Sequence, residues 1–159
     1  MIFLGRQIRW TAIAALLPAV LLVAAAPAAW ETVEEAAANL KTIEVSFKLD
    51  PRLTRSMYMG ERWISPPTYS GVQQQDGELV VHARAMGYDH QGRPVNINPT
   101  WQAGDAAVVQ VAPAQGREVQ LRMLKEGQSD LTVKFGKITR RLTIKAVQYD
   151  NALRVDITQ

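Results

Sequence analysis

His82 and His90 are the two histidines of this chain, and it has no cysteine. A zinc site would have to draw most of its ligands from Asp and Glu, and these stand at no spacing that gathers them. Asp89-His90-Gln91-Gly92 has the outline of a ligand loop, but an Asp followed three residues later by Gly is also the composition of a β-turn. Asp89 and Asp105 lack the oxygen-rich neighbours of a calcium loop. Glu34 and Glu35 are adjacent on a predicted helix, so their carboxylates point apart. Neither a G-x-S-x-G elbow nor a Gly-rich phosphate loop occurs. These residue types nominate no catalytic residue, no metal ligand and no cofactor, and the expectation is a protein that is not an enzyme.

Two stretches carry recognition chemistry instead. Residues 52–71 have no clean period and hold Met57, Tyr58, Met59 and Trp63 between Gly60 and the Pro66-Pro67 pair. Met and aromatic side chains either complete a core from a covering loop or form an adaptable surface for a partner. The second stretch is the hairpin 131–146, where Lys134, Lys137, Arg141 and Lys145 share the outward side with Thr139 and Thr143. Such a face either meets an anionic surface or keeps an exposed strand from pairing edge to edge.

Both stretches must be positioned by strands. Leu79, Val81, Ala83 and Ala85 alternate with Val80, His82 and Arg84. Val119, Leu121 and Met123 alternate with Glu118, Gln120 and Arg122. Leu131, Val133 and Phe135 face Leu142, Ile144 and Ala146 across a Gly136-Lys137 connection of the Gly-first hairpin kind. Leu153, Val155 and Ile157 close the series. Short alternating strands about ten residues apart, with turn signals between them, mark an all-β sandwich or barrel. Val95, Ile97 and Trp101 share a face, which makes Trp101 a core residue with Leu121, Val133 and Leu142. A tryptophan that stacks on carbohydrate is its other use. Before these strands, residues 30–42 read as a helix with a Thr32/Glu35 capping box, and residues 43–49 alternate as a strand.

The first 28 residues read as an export signal. Arg6 and Arg9 precede an apolar run from Thr11 to Ala25, and Ala26-Pro27-Ala28 offers a cleavage site before Ala29. The alternative is an uncleaved membrane anchor. In either case the remainder lies outside the cytoplasm, in the periplasm or at the cell surface. The whole chain carries 18 basic and 15 acidic side chains, a net of +3. Removing residues 1–28 takes two arginines and leaves 16 against 15. That balance predicts no nucleic-acid partner, and a membrane contact only through an uncleaved N-terminal segment.

A strand after Asp76-Gly77-Glu78 is followed by one that ends in Pro99-Thr100-Trp101, then by Asp105, Val108-Val109-Gln110-Val111, Gly127-Gln128-Ser129-Asp130-Leu131-Thr132-Val133 and a last L-T-I-K-A strand. This order over about residues 68–147 resembles the bacterial immunoglobulin-like domain of group 2, the module repeated in invasin- and intimin-type adhesins. The resemblance implies an Ig-like β-sandwich of about seven to nine short antiparallel strands over residues 68–159, with Trp101 in its core. It leaves 29–67 as a lead-in of helix, strand and apolar loop. The implied function is a non-enzymatic binding or structural module whose partner is an envelope or cell-surface protein or polysaccharide. The SFKLDPRL–MYMGERW–SPP lead-in is also similar to segments ahead of FKBP-type prolyl isomerase domains in exported proteins. That likeness implies an accessory or chaperone-like partner of such a folding factor, with residues 57–63 holding apolar clients.

Overall fold

Alternation assigns each strand an inner and an outer face, and the inner faces meet in one core. The computed structural model describes residues 37–50, 53, 62–74, 78–149 and 151–159. Among them eleven strands form two antiparallel sheets, an all-β sandwich. The first sheet is β2 (Trp63–Ile64), β1 (Leu40–Lys48), β4 (Leu79–Asp89), β8 (Glu118–Met123) and β7 (Val109–Ala112) in that order, with β5 (Pro94–Val95) on β4. The second is β3 (Thr68–Gln74), β11 (Ala152–Thr158), β10 (Ile138–Tyr149), β9 (Gly127–Phe135) and β6 (Thr100–Ala103). Immunoglobulin sandwiches order their sheets A-B-E-D and C-F-G. Here β1-β4-β8-β7 and β6-β9-β10 run in the same order, extended by β2 on one sheet and by β11 and β3 on the other.

The core is aliphatic, as the low aromatic content requires. Val45, Phe47, Val81, Leu121, Val133, Ile144 and Ile157 are fully buried, with Leu131 and Leu142 beside them. Trp101, on β6, is 2% exposed, and its Nε1 donates to the Gly116 carbonyl at 2.8 Å. The indole is therefore a core plug with its one polar group satisfied, at the strand-C position where immunoglobulin sandwiches bury a tryptophan. Phe47 of β1 meets Tyr69 of β3 across the two sheets, with ring centroids 5.0 Å apart.

Several boundaries differ from the sequence reading. The helix expected over 30–42 is over by Asn39: residues 37–39 are helical and β1 begins at Leu40, while residues 30–36 lie outside the described residues. A register shift between Leu40 and Thr42 brings both Leu40 and Ile43 inside, which breaks strict alternation and hid the start of the strand. β1 and β2 do not form a separate lead-in. β1 pairs with β4 from Leu40↔Asp89 to Phe47↔Ala83, so the sandwich extends N-terminal to residue 68. Over residues 68–159 there are nine strands, β3 to β11, within the expected seven to nine, although β3 was taken for loop; β1 and β2 bring the total among the described residues to eleven. β3 presents Tyr69 and Gly71 inward, and a glycine in an inner position erases the apolar alternation. β9 starts at Gly127, and Val95, Ile97 and Trp101, which share an inward face in the sequence, fall on β5, the connection after it and β6.

Candidate binding face

β9 and β10 place the predicted cations. Their hairpin turns at Gly136, whose φ of +57° suits glycine. Register pairs Thr139 with Lys134, Arg141 with Thr132, Thr143 with Asp130, and Lys145 with Gln128. Lys134 and Arg141 are thus diagonal neighbours on the outer face, about 7–8 Å apart at the backbone, and Lys137 lies at the turn beside them. All are exposed, and none is ion-paired within 4 Å among the described residues. Lys145 belongs to a different neighbourhood, four residues and about 13 Å along the strand from Arg141. There it stands opposite Asp156, which is ion-paired to Arg154 at 3.1 Å and accepts a hydrogen bond from Ser70 at 2.5 Å. The four cations proposed from sequence are therefore a cluster of three with Lys145 apart from it. Edge protection does not explain Lys134, because β9 is paired on both sides, by β10 and β6. Arg141 precedes Thr143, where pairing with β11 begins.

A groove of about 490 Å³ lies beside this cluster. It is lined by Asn98, Thr100, Gln102, Gln115, Thr132, Lys134 and the Phe135-Gly136 corner. Its amide and hydroxyl side chains come from outward positions of β6 and β9, from Asn98 just before β6, and from Gln115 in the β7–β8 connection, which bridges to Thr100. None of them makes a hydrogen bond within the protein among the described residues. Nothing in the sequence marks them as a site, because polar residues at outward positions beside an inward Trp101 are what any half-buried strand presents. The outer face, Thr100 and Gln102, was readable from the same alternation.

The other predicted stretch fares differently. Met57, Tyr58 and Met59 lie outside the described residues. Trp63 is half-buried on β2, and the Arg84 guanidinium stacks over its ring at 4.4 Å from the centroid. Ser46 donates to the Arg84 carbonyl at 3.4 Å, and Arg84 and Glu118 approach to 3.9 Å. This indole is engaged by its own sheet.

The histidines and carboxylates that opened the chemical search do not converge. No group of three or more His, Asp or Glu residues gathers to hold a metal ion among the described residues. His82 lines a small cleft of about 200 Å³ with Pro113, Glu118 and Gln120. Asp89 closes its own turn: Oδ1 accepts from the Gln91 and Arg93 N–H groups at 2.8 and 2.9 Å, and Oδ2 accepts from Arg93 Nε at 2.7 Å. The Arg93 N–H is the main reason its carboxyl is held below the usual carboxylate range. Asp105 caps a separate turn, with Oδ1 accepting from the Ala107 N–H at 2.8 Å. Its own N–H donates to the buried Ser129 hydroxyl at 2.9 Å. Tyr69 is pushed up to about 12, first by burial and then by the Asp50 charge.

No family model, curated protein or solved structure matches this chain. No helix among the described residues is long and apolar enough to cross a membrane.

Proposed function

We propose that this chain is an exported immunoglobulin-like module that works at the cell envelope by binding rather than by catalysis. It meets an acidic partner through the outer face of its second sheet. The observation that carries this reading is the set of unpaired cations Lys134, Lys137 and Arg141 on one hairpin. Exposed cations that form no ion pair among the described residues, carried on paired strands, present a positive field to the solvent. The strand order and the core position of Trp101 support the immunoglobulin-like reading, and the pattern of residues 1–28 supports export. Fold alone names no ligand, so the partner is inferred from charge.

Two measurements test the proposal. The intact mass of the protein recovered from its native host is expected to correspond to a start at Ala29. A full-length mass in the cytosolic fraction contradicts export. Cosedimentation with isolated envelopes is expected to be strong at 50 mM salt and to weaken severalfold at 300 mM, because the screening length for exposed charges falls from about 14 Å to about 6 Å over this range. Retention that does not change with salt contradicts an electrostatic partner.

A further inference from the structure

We infer that the groove between β6 and the β9–β10 turn is a saccharide subsite, and that the acidic partner is a carboxylated polysaccharide. This inference rests on the electrostatic reading above and adds the chemical class of the ligand.

The argument begins with what lines the groove. Asn98, Gln102 and Gln115 each offer an amide that both donates and accepts, and Thr100 and Thr132 each offer a hydroxyl. These groups have no hydrogen-bond partner within the protein among the described residues, so a ligand takes the place of water without breaking internal bonds. A dense set of paired donors and acceptors matches a ligand dense in hydroxyls. No Asp or Glu lines the groove, and Lys134 stands in its wall with Arg141 diagonally beyond. The recognised unit is therefore a hydroxyl-rich ring bearing an anion.

The same inventory argues against the other acidic polymers. Protein interfaces enrich aromatic side chains and deplete lysine at their centres. Here the sole aromatic at the groove, Phe135, is 8% exposed and belongs to the core, and two of the three clustered cations are lysines. Single-stranded nucleic acid is held by stacking on aromatic faces, and this groove offers none. A carboxylate suits the site because the Lys134 ammonium and the Arg141 guanidinium, carried on diagonal strand positions, can each meet one charge along a repeating chain.

The test uses the processed protein, starting at Ala29, and four probes: polygalacturonate, neutral dextran, poly-glutamate and single-stranded DNA. Polygalacturonate is expected to bind at least about tenfold more tightly than any of the others. The double variant Asn98→Ala/Gln102→Ala is expected to lose about tenfold in polygalacturonate affinity, the equivalent of one or two hydrogen bonds. Its residual binding should keep the wild-type salt dependence. Both side chains are exposed, and an unchanged melting temperature verifies the fold. If poly-glutamate or DNA binds as tightly as polygalacturonate and the double variant behaves as wild type, the saccharide subsite is refuted while the electrostatic reading stands. If dextran binds as tightly as polygalacturonate, the carboxylate requirement is refuted. If no acidic probe binds and envelopes are not retained either, both readings fall together.

Discussion

Trp101 settles the residue scale, because its environment answers whether it is a core or a binding residue. Its burial and the Nε1 bond to Gly116 make it structural. Trp101→Ala is expected to cost about 3–5 kcal/mol in denaturant unfolding. Trp101→Phe should cost less while leaving the Gly116 carbonyl without its donor. A loss below about 1 kcal/mol for the alanine variant would mean the indole is not the plug. Gly87 makes a similar demand. A Cβ there would fall 2.9 Å from Ile97 Cγ2 and nearer still to Leu40 Cδ1, so Gly87→Ala is expected to cost about 1–3 kcal/mol through overpacking. Tyr69 sets an alkaline limit. Its folded pKa of about 12 exceeds the ordinary value of 10.0, so folding favours the neutral phenol. The stability this gives is complete below pH 10 and is lost as pH rises from 10 to 12. The wild-type melting temperature should fall more between pH 9 and pH 11 than that of Tyr69→Phe. Equal falls would place the phenol in solvent.

At the scale of elements, legibility followed the regularity of each strand. β8 was readable because every inner position is apolar and every outer one polar or charged, and β4 and the β9–β10 hairpin because the alternation holds over most of their length, with Val80 and Met86 outward and Asp89 and Ser129 inward among the exceptions. β1 was clipped because its bulge spaces Leu40 and Ile43 by three residues, and β3 was missed because Gly71 stands where an apolar side chain would announce the inner face. The three-cation cluster was readable from outward alternation. Its separation from Lys145 was not, because that depends on Asp156 of β11, a strand whose neighbour along the sheet cannot be read from one sequence. The groove was invisible for the same reason: Gln115 and Thr132 are brought together by pairing, not by spacing. Because β1 closes the sandwich through Phe47 against Tyr69, Phe47→Ala is expected to cost about 3–5 kcal/mol in a single unfolding transition. A loss near zero, or a second transition, would mean that β1 is the detachable lead-in that its place before residue 68 suggested.

At the scale of the whole molecule, modest net charge and a local charged cluster give different information. A balance of 16 basic against 15 acidic side chains after removal of residues 1–28 predicts no general affinity for polyanions, yet the outer face of the second sheet concentrates at one end cations that are unpaired among the described residues and pairs Arg154 with Asp156 at the other. Binding is therefore expected to be local to that end. The measurement that tests this most directly is cosedimentation of the processed protein, starting at Ala29, with isolated envelopes at 50 mM salt, comparing Lys134→Glu/Lys137→Glu/Arg141→Glu with Lys145→Glu. The account predicts that the triple variant is lost from the pellet while Lys145→Glu is retained close to the wild-type level. Retention of the triple variant at the wild-type level would contradict it.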